Sequence, residues 1–128
     1  LFQQHIEAQC KRLRILGFTG TPIIRGNLNA MDKSLLPSLQ TVCTEILNNI
    51  AKHGKPGAFA FILSVGPDAV RIFASNLYNA AINSAPENHY GTALIQDFAQ
   101  QHNGTMTINS ENEEWSLSLA IPLTHQTH

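Results

Sequence analysis

Between Leu39 and Val65 the hydrophobic period changes once, and that change constrains the fold more than any other feature of the chain. Leu39, Val42, Cys43, Ile46 and Ile50 fall on one stripe at helical spacing, and the helix is predicted to stop near Gly54 and Pro56. Ala58 to Val65 then runs as Phe, Ile, Leu, Val and Ala with only Ser64 interrupting, which predicts a strand buried on both faces. A helix that feeds directly into such a strand is an α/β unit and needs further elements to cover it. With 128 residues, 43% of them apolar and 13% charged, there is enough chain for one such core. The same figures exclude low-complexity disorder.

The flanking sequence supplies those elements. Phe2, Ile6, Cys10, Leu13 and Leu16 predict a first helix closed by Gly17, and Thr21 to Arg25 a short strand. Asp32 or Ser34 can cap the central helix. Gly66-Pro67-Asp68 is a turn, after which Val70, Ile72 and Ala74 alternate as a paired strand. From Asn76 to Tyr90 no period is sustained, and a loop of that length in a small domain is more often functional than ornamental. Leu94, Ile95, Phe98 and His102 predict a third helix ending at Gly104. Met106 and Ile108, a polar turn at Glu111–Glu114, then Trp115, Leu117, Leu119 and Ile121 predict a hairpin that ends at Pro122, with Trp115 in the core. The expected fold is a two-layer α/β sandwich, one domain over residues 1–128, with three helices on one face of a mixed sheet.

Charge is distributed unevenly. Residues 1–71 hold all eight Lys and Arg against four acids, whereas residues 72–128 hold five acids and no base. The total of −1 gives no reason to expect nucleic acid as a partner. An anionic ligand would have to draw its cations from the first half. Cys10 and Cys43 form neither a disulfide framework nor a metal spacing and read as small core residues. The longest apolar run is far short of the roughly 20 residues of a membrane helix, and no stretch reads as a secretory leader. The chain opens on Leu1, so a longer parent protein is expected.

Chemistry concentrates on one flank of the central helix. At about 100° per residue, Glu45, Asn49 and Lys52 stack beside the apolar stripe, and His53 lies between them and the core. A solvated flank with a fortuitous Glu–Lys pair would show the same spacing. Two asparagines in mid-helix, Asn48 and Asn49, however cost helix propensity. A carboxylate, an amide and a lysine together are also what a magnesium-bound phosphate requires: oxygen ligands for the metal and a cation for the phosphate.

The run Thr44-Glu45-Ile46-Leu47-Asn48-Asn49-Ile50-Ala51-Lys52-His53-Gly54 resembles the N box, E-x-x-x-N-x-x-K-H, of the ATP-binding domains of sensor histidine kinases. The closest likeness is to the subgroup that includes nitrate and sugar-phosphate sensors. The order of elements along most of the chain is similar as well. The resemblance implies the Bergerat, or GHKL, sandwich. It also implies that Asn49 ligates Mg2+, that Glu45 orients or deprotonates the acceptor, and that Lys52 and His53 approach the phosphates of ATP.

The next family motif, D-x-G-x-G, whose Asp bonds the adenine amino group, is altered here to Phe73-Ala74-Ser75-Asn76-Leu77-Tyr78-Asn79. Ser75 stands at the expected place, or Asn76 if the register slips by one. Loss of the carboxylate forfeits a charge-assisted bond worth roughly 1.5–3 kcal/mol. The following motif, G-x-G-L, is represented by Gly91-Thr92-Ala93-Leu94, with Ala at the second glycine. Its amides would meet the phosphates at a helix N-terminus. No histidine here lies in a phosphoacceptor pattern.

The resemblance therefore implies a histidine protein kinase that uses Mg-ATP and phosphorylates a histidine on a separate dimerisation domain of the same parent. Through that domain it would serve a response regulator in a bacterial two-component system. The location implied is a cytoplasmic domain of a membrane-anchored protein. The alternatives are a non-catalytic domain kept for docking or regulation, favoured by Ser75, Leu77 and Ala93, and an anti-sigma-factor-like serine kinase.

Overall fold

The computed structural model of the chain describes residues 2–78 and 92–123. The helices are α1 (Phe2–Ile15), α2 (Leu35–His53) and α3 (Thr92–Gln101). The strands are β1 (Pro22–Gly26), β2 (Gly54–Val65), β3 (Ala69–Tyr78), β4 (Thr105–Glu111) and β5 (Glu114–Pro122). A 3-10 turn, Leu28–Ala30, precedes α2. The strands form one sheet in the order β1-β2-β3-β5-β4, parallel between β1 and β2 and antiparallel elsewhere. This is the expected two-layer α/β sandwich with a mixed sheet.

The helix termini follow from local chemistry. Gly17 adopts φ +101°, and Phe18 donates its N–H to the Leu13 carbonyl at 3.0 Å, the six-to-one bond of a Schellman cap. Leu16, the last residue of the predicted apolar stripe, lies within this cap, past the end of α1, and is exposed. At the start of α2 it is Asp32 that accepts from the Ser34 N–H, at 3.0 Å, and Ser34 makes no side-chain cap bond. Pro37 sits in the first turn, where its missing N–H has no intrahelical partner to lose. The left-handed residue after α3 is Asn103, φ 58°, rather than Gly104. Gly104 is needed because a Cβ there would collide with Ile121 and the Ala120 carbonyl.

The core lies between sheet and helices. Ile6, Cys10 and Leu13 of α1 and Leu39, Cys43, Ile46, Leu47 and Ile50 of α2 are buried. They meet Phe61 and Leu63 of β2, Val70 and Ile72 of β3 and Leu117, Leu119 and Ile121 of β5 in one cluster. Each fully buried Leu or Ile contributes about 1.5–3 kcal/mol of transfer free energy. Burial pushes the Cys10 thiol up to about 11, the Arg14 charge opposing it and Glu7 adding to it. Burial likewise raises the Cys43 thiol. Both remain neutral core groups, as expected.

Two expectations fail in the same sheet. On β2 only Phe59, Phe61, Leu63 and Val65 are buried; Ala60, Ile62 and Ser64 are half-buried on the other face. Among the described residues no helix covers that face, so the apolar run has one buried side and one more open side. The loop expected from Asn76 to Tyr90 does not include its first three residues, because β3 continues to Tyr78, and the remainder of that stretch lies outside the described residues. Asn76 pairs with Phe59 on β2 and Trp115 on β5, and those ladders hold the strand two residues further.

Candidate functional site

The N-box residues all lie in the second half of α2. Asn49 is buried, Glu45 and His53 are half-buried and Lys52 is exposed. The helix spacing does bring Glu45, Asn49 and Lys52 to one flank, with Lys52 and His53 in the last turn, where cations oppose the helix dipole. Thr44 fixes the neighbouring turn. Its hydroxyl donates to the Gln40 carbonyl at 2.9 Å and meets His5 Nε2 of α1 at 2.7 Å. Since that hydroxyl proton goes to Gln40, the His5 ring nitrogen is the donor to Thr44.

Asn49 is unusual energetically. Its Nδ2 is buried and has no hydrogen-bond partner among the described residues. Leaving such a group unsatisfied costs about 1–3 kcal/mol. Packing does not explain its presence, because an apolar residue of the same size would serve the core better.

Strand parity divides the side chains of β3 between the two faces of the sheet. Val70, Ile72, Ala74 and Asn76 face the helices, whereas Arg71, Phe73, Ser75 and Leu77 face the open side. The structure therefore places Asn76, not Ser75, on the N-box side of the sheet. Asn76 donates from Nδ2 to the Leu77 carbonyl at 2.7 Å. Its side chain lies against Gly54, the first residue after α2, where a Cβ would collide with the amide and with the Ile50 carbonyl. On the neighbouring strands it is flanked by Phe59 and Trp115, and Trp115 in turn pairs with Ser110, whose Oγ is buried without a partner among the described residues.

Sequence reasoning missed the close packing at Gly54 and the buried hydroxyl of Ser110. The Lys52-His53-Gly54 string carried a signal for the first, although Gly54 was read only as a helix stop. No signal marked Ser110, one of three serines in this hairpin. Thr92, half-buried, and the exposed Ala93 and Leu94 form the first turn of α3, while Gly91 lies outside the described residues. Asn79, in the altered motif, also lies outside them.

The sequence matches no protein-family model and no curated protein. The fold, in contrast, superposes on the catalytic domain of histidine kinase ThkA with a TM-score of 0.71, over 97% of this chain and 92% of that one, at 11% identity. The chain has the fold of a histidine kinase catalytic domain. The same histidine kinase fold recurs in AdeS of Acinetobacter baumannii, with a TM-score of 0.72 at 11% identity over 95% of this chain and 62% of that one. It recurs again in the blue-light activated histidine kinase of Erythrobacter litoralis EL346, with a TM-score of 0.70 at 11% identity over 95% of this chain and 42% of that one. The chain thus spans less than two thirds of each of these two kinases. At such identities it is the kinase fold that is shared, and the chemistry must be argued from the residues above.

Proposed function

We propose that this chain is the ATP-binding catalytic domain of a sensor histidine kinase, acting on a histidine of a separate dimerisation domain. The observation that supports this most is the flank of α2 on which Asn49, a buried amide, stands one helical turn from Glu45 and one from Lys52. An amide oxygen is a ligand suited to Mg2+. Asn49 would hold the metal, Lys52 and His53 would neutralise phosphate oxygens, and Asn76 would accept from or donate to the adenine edge. The backbone N–H groups at Gly91, Thr92, Ala93 and Leu94 would cradle phosphate. Glu45 would orient the acceptor imidazole or take its proton. Mg-ATP, when bound, supplies the transferable γ-phosphoryl group, and the protein contributes positioning and charge neutralisation. The response regulator would be served by the dimerisation domain, in a cytoplasmic setting under a membrane-anchored parent. Among the described residues no helix is long and apolar enough to cross a membrane.

Asn76 favours a second reading, a non-catalytic docking module. Its Nδ2 is engaged by the Leu77 carbonyl, and aromatic side chains occupy both neighbouring strands. Calorimetric titration with ATP, with and without Mg2+, separates the two. The kinase reading expects magnesium-dependent binding at roughly tens to hundreds of micromolar, weakened by the missing carboxylate. Absence of heat at millimolar nucleotide would replace it with the docking module.

A further inference from the structure

The face of the sheet opposite the helices carries three of the exposed large apolar side chains: Ile23 at 42%, Phe73 at 39% and Leu77 at 36%. The strand registers arrange this face in rows. In the first row Arg25, Ser64 and Arg71 stand side by side on β1, β2 and β3. The second row is large and apolar: Ile23, Ile62 and Phe73. The third is small: Ala60, Ser75 and Ser116. The fourth is acidic: Leu77 is followed by Glu114 on β5 and Glu111 on β4. Neither arginine has an acid in its own row. Asp68 lies in the turn at the first-row end, and at the other end Glu113 lies in the turn between β4 and β5 and Lys55 in the irregular stretch of β2, all outside the paired rows.

We propose that this open face is the docking surface for a second copy of the chain, packed face to face with its strands reversed. A two-fold axis lying between the sheets and perpendicular to the strands superimposes the first row of one copy on the fourth row of the other. Arg71 then stands over Leu77 of the second copy, across a sheet separation of about 10 Å, with Glu114 one strand spacing of about 4.8 Å to the side and within reach of the two long side chains. The same operation lays the large second row on the small third row, so Phe73 faces Ser75 and Ile62 faces Ala60. Arg71 and Glu114 are thereby matched in both directions and the large row meets the small one, as an isologous interface requires, while Arg25 and Glu111 lie on the two edge strands outside that match. Rotation about the strand direction instead would set arginine on arginine, which makes the reversed arrangement the favoured one.

The area sets the strength. Five strands by three row steps span roughly 24 Å by 20 Å, about 1,000 Å² buried over both copies, the lower bound for a specific interface. An interface of this size is small, so association is to be sought up to millimolar concentration.

This inference does not rest on nucleotide binding, and its test involves none. Sedimentation equilibrium of the chain from about 10 µM to about 1 mM is expected to show a monomer–dimer equilibrium that weakens with salt. Arg71→Glu and Glu114→Arg, both at surface positions, are each expected to raise the dissociation constant about tenfold or more with an unchanged melting temperature. Mixing the two variants, or combining both substitutions in one chain, restores complementarity and should recover the dimer. A wild-type chain that is monomeric at about 1 mM, single variants that dimerise like wild type, or a combined variant that does not recover would each overturn the proposal.

Discussion

The Asn76 amide sits where a side chain on Gly54 would have to go. The junction between the central helix and the sheet is thus closed by a glycine that has no Cβ and a buried polar group that takes its space. Gly54 has φ −78°, so it is the close approach and not the backbone conformation that demands glycine.

Gly54→Ala is therefore expected to destabilise the domain by about 1–3 kcal/mol through overpacking. It should also displace Asn76. A denaturant melt checks the first effect and nucleotide titration the second. Wild-type stability in this variant would show that the amide moves aside at no cost.

Asn49→Ala should leave stability nearly unchanged or slightly raised. The substitution removes an unsatisfied buried Nδ2 and gains a few tenths of a kcal/mol in helix propensity. The magnesium-dependent part of nucleotide binding should disappear. A loss of about 1–3 kcal/mol in the melt with unchanged nucleotide affinity would identify Asn49 as a structural residue instead.

Asn76→Asp should trade stability for affinity. A carboxylate there can form a charge-assisted bond with an adenine amino group, worth about 10–100-fold in affinity. It would also face the Leu77 carbonyl without the proton that Asn76 Nδ2 now donates at 2.7 Å, and should cost about 1–3 kcal/mol in the apo protein. Paired melting and calorimetry on this variant measure both signs.

Alkaline pH should weaken the fold. The Cys10 thiol is raised from 9.0 to about 11, and Cys43 is raised too, so above pH 9 the unfolded chain releases protons that the native one keeps. The stability these thiols contribute is fully present below pH 9 and falls as pH climbs toward the folded values. Comparing wild type with the Cys10→Ala/Cys43→Ala variant in melts from pH 8 to about 11 isolates the effect, since other alkaline titrations are common to both. A constant difference across that range would mean that the thiols are no harder to ionise in the fold.

Most of the architecture was determined by the sequence alone, because hydrophobic period is a local property. The 3.6 spacing of Leu39, Cys43, Ile46 and Ile50, the alternation at Val70, Ile72 and Ala74, and the turn at Gly66-Pro67-Asp68 each specify an element without reference to its neighbours. The stacking of Glu45, Asn49 and Lys52 follows from the same helical geometry. Only the tertiary structure decided which polar residue of β3 stands with them. A slip of one residue in a strand turns every side chain to the other face, and the pairing of Asn76 with Phe59 and Trp115 sets that parity. The same holds for the open face. The run from Ala58 to Val65 would look alike between two layers or over one, and only the placement of the three described helices on one side leaves Phe73 exposed and Ile62 half-buried.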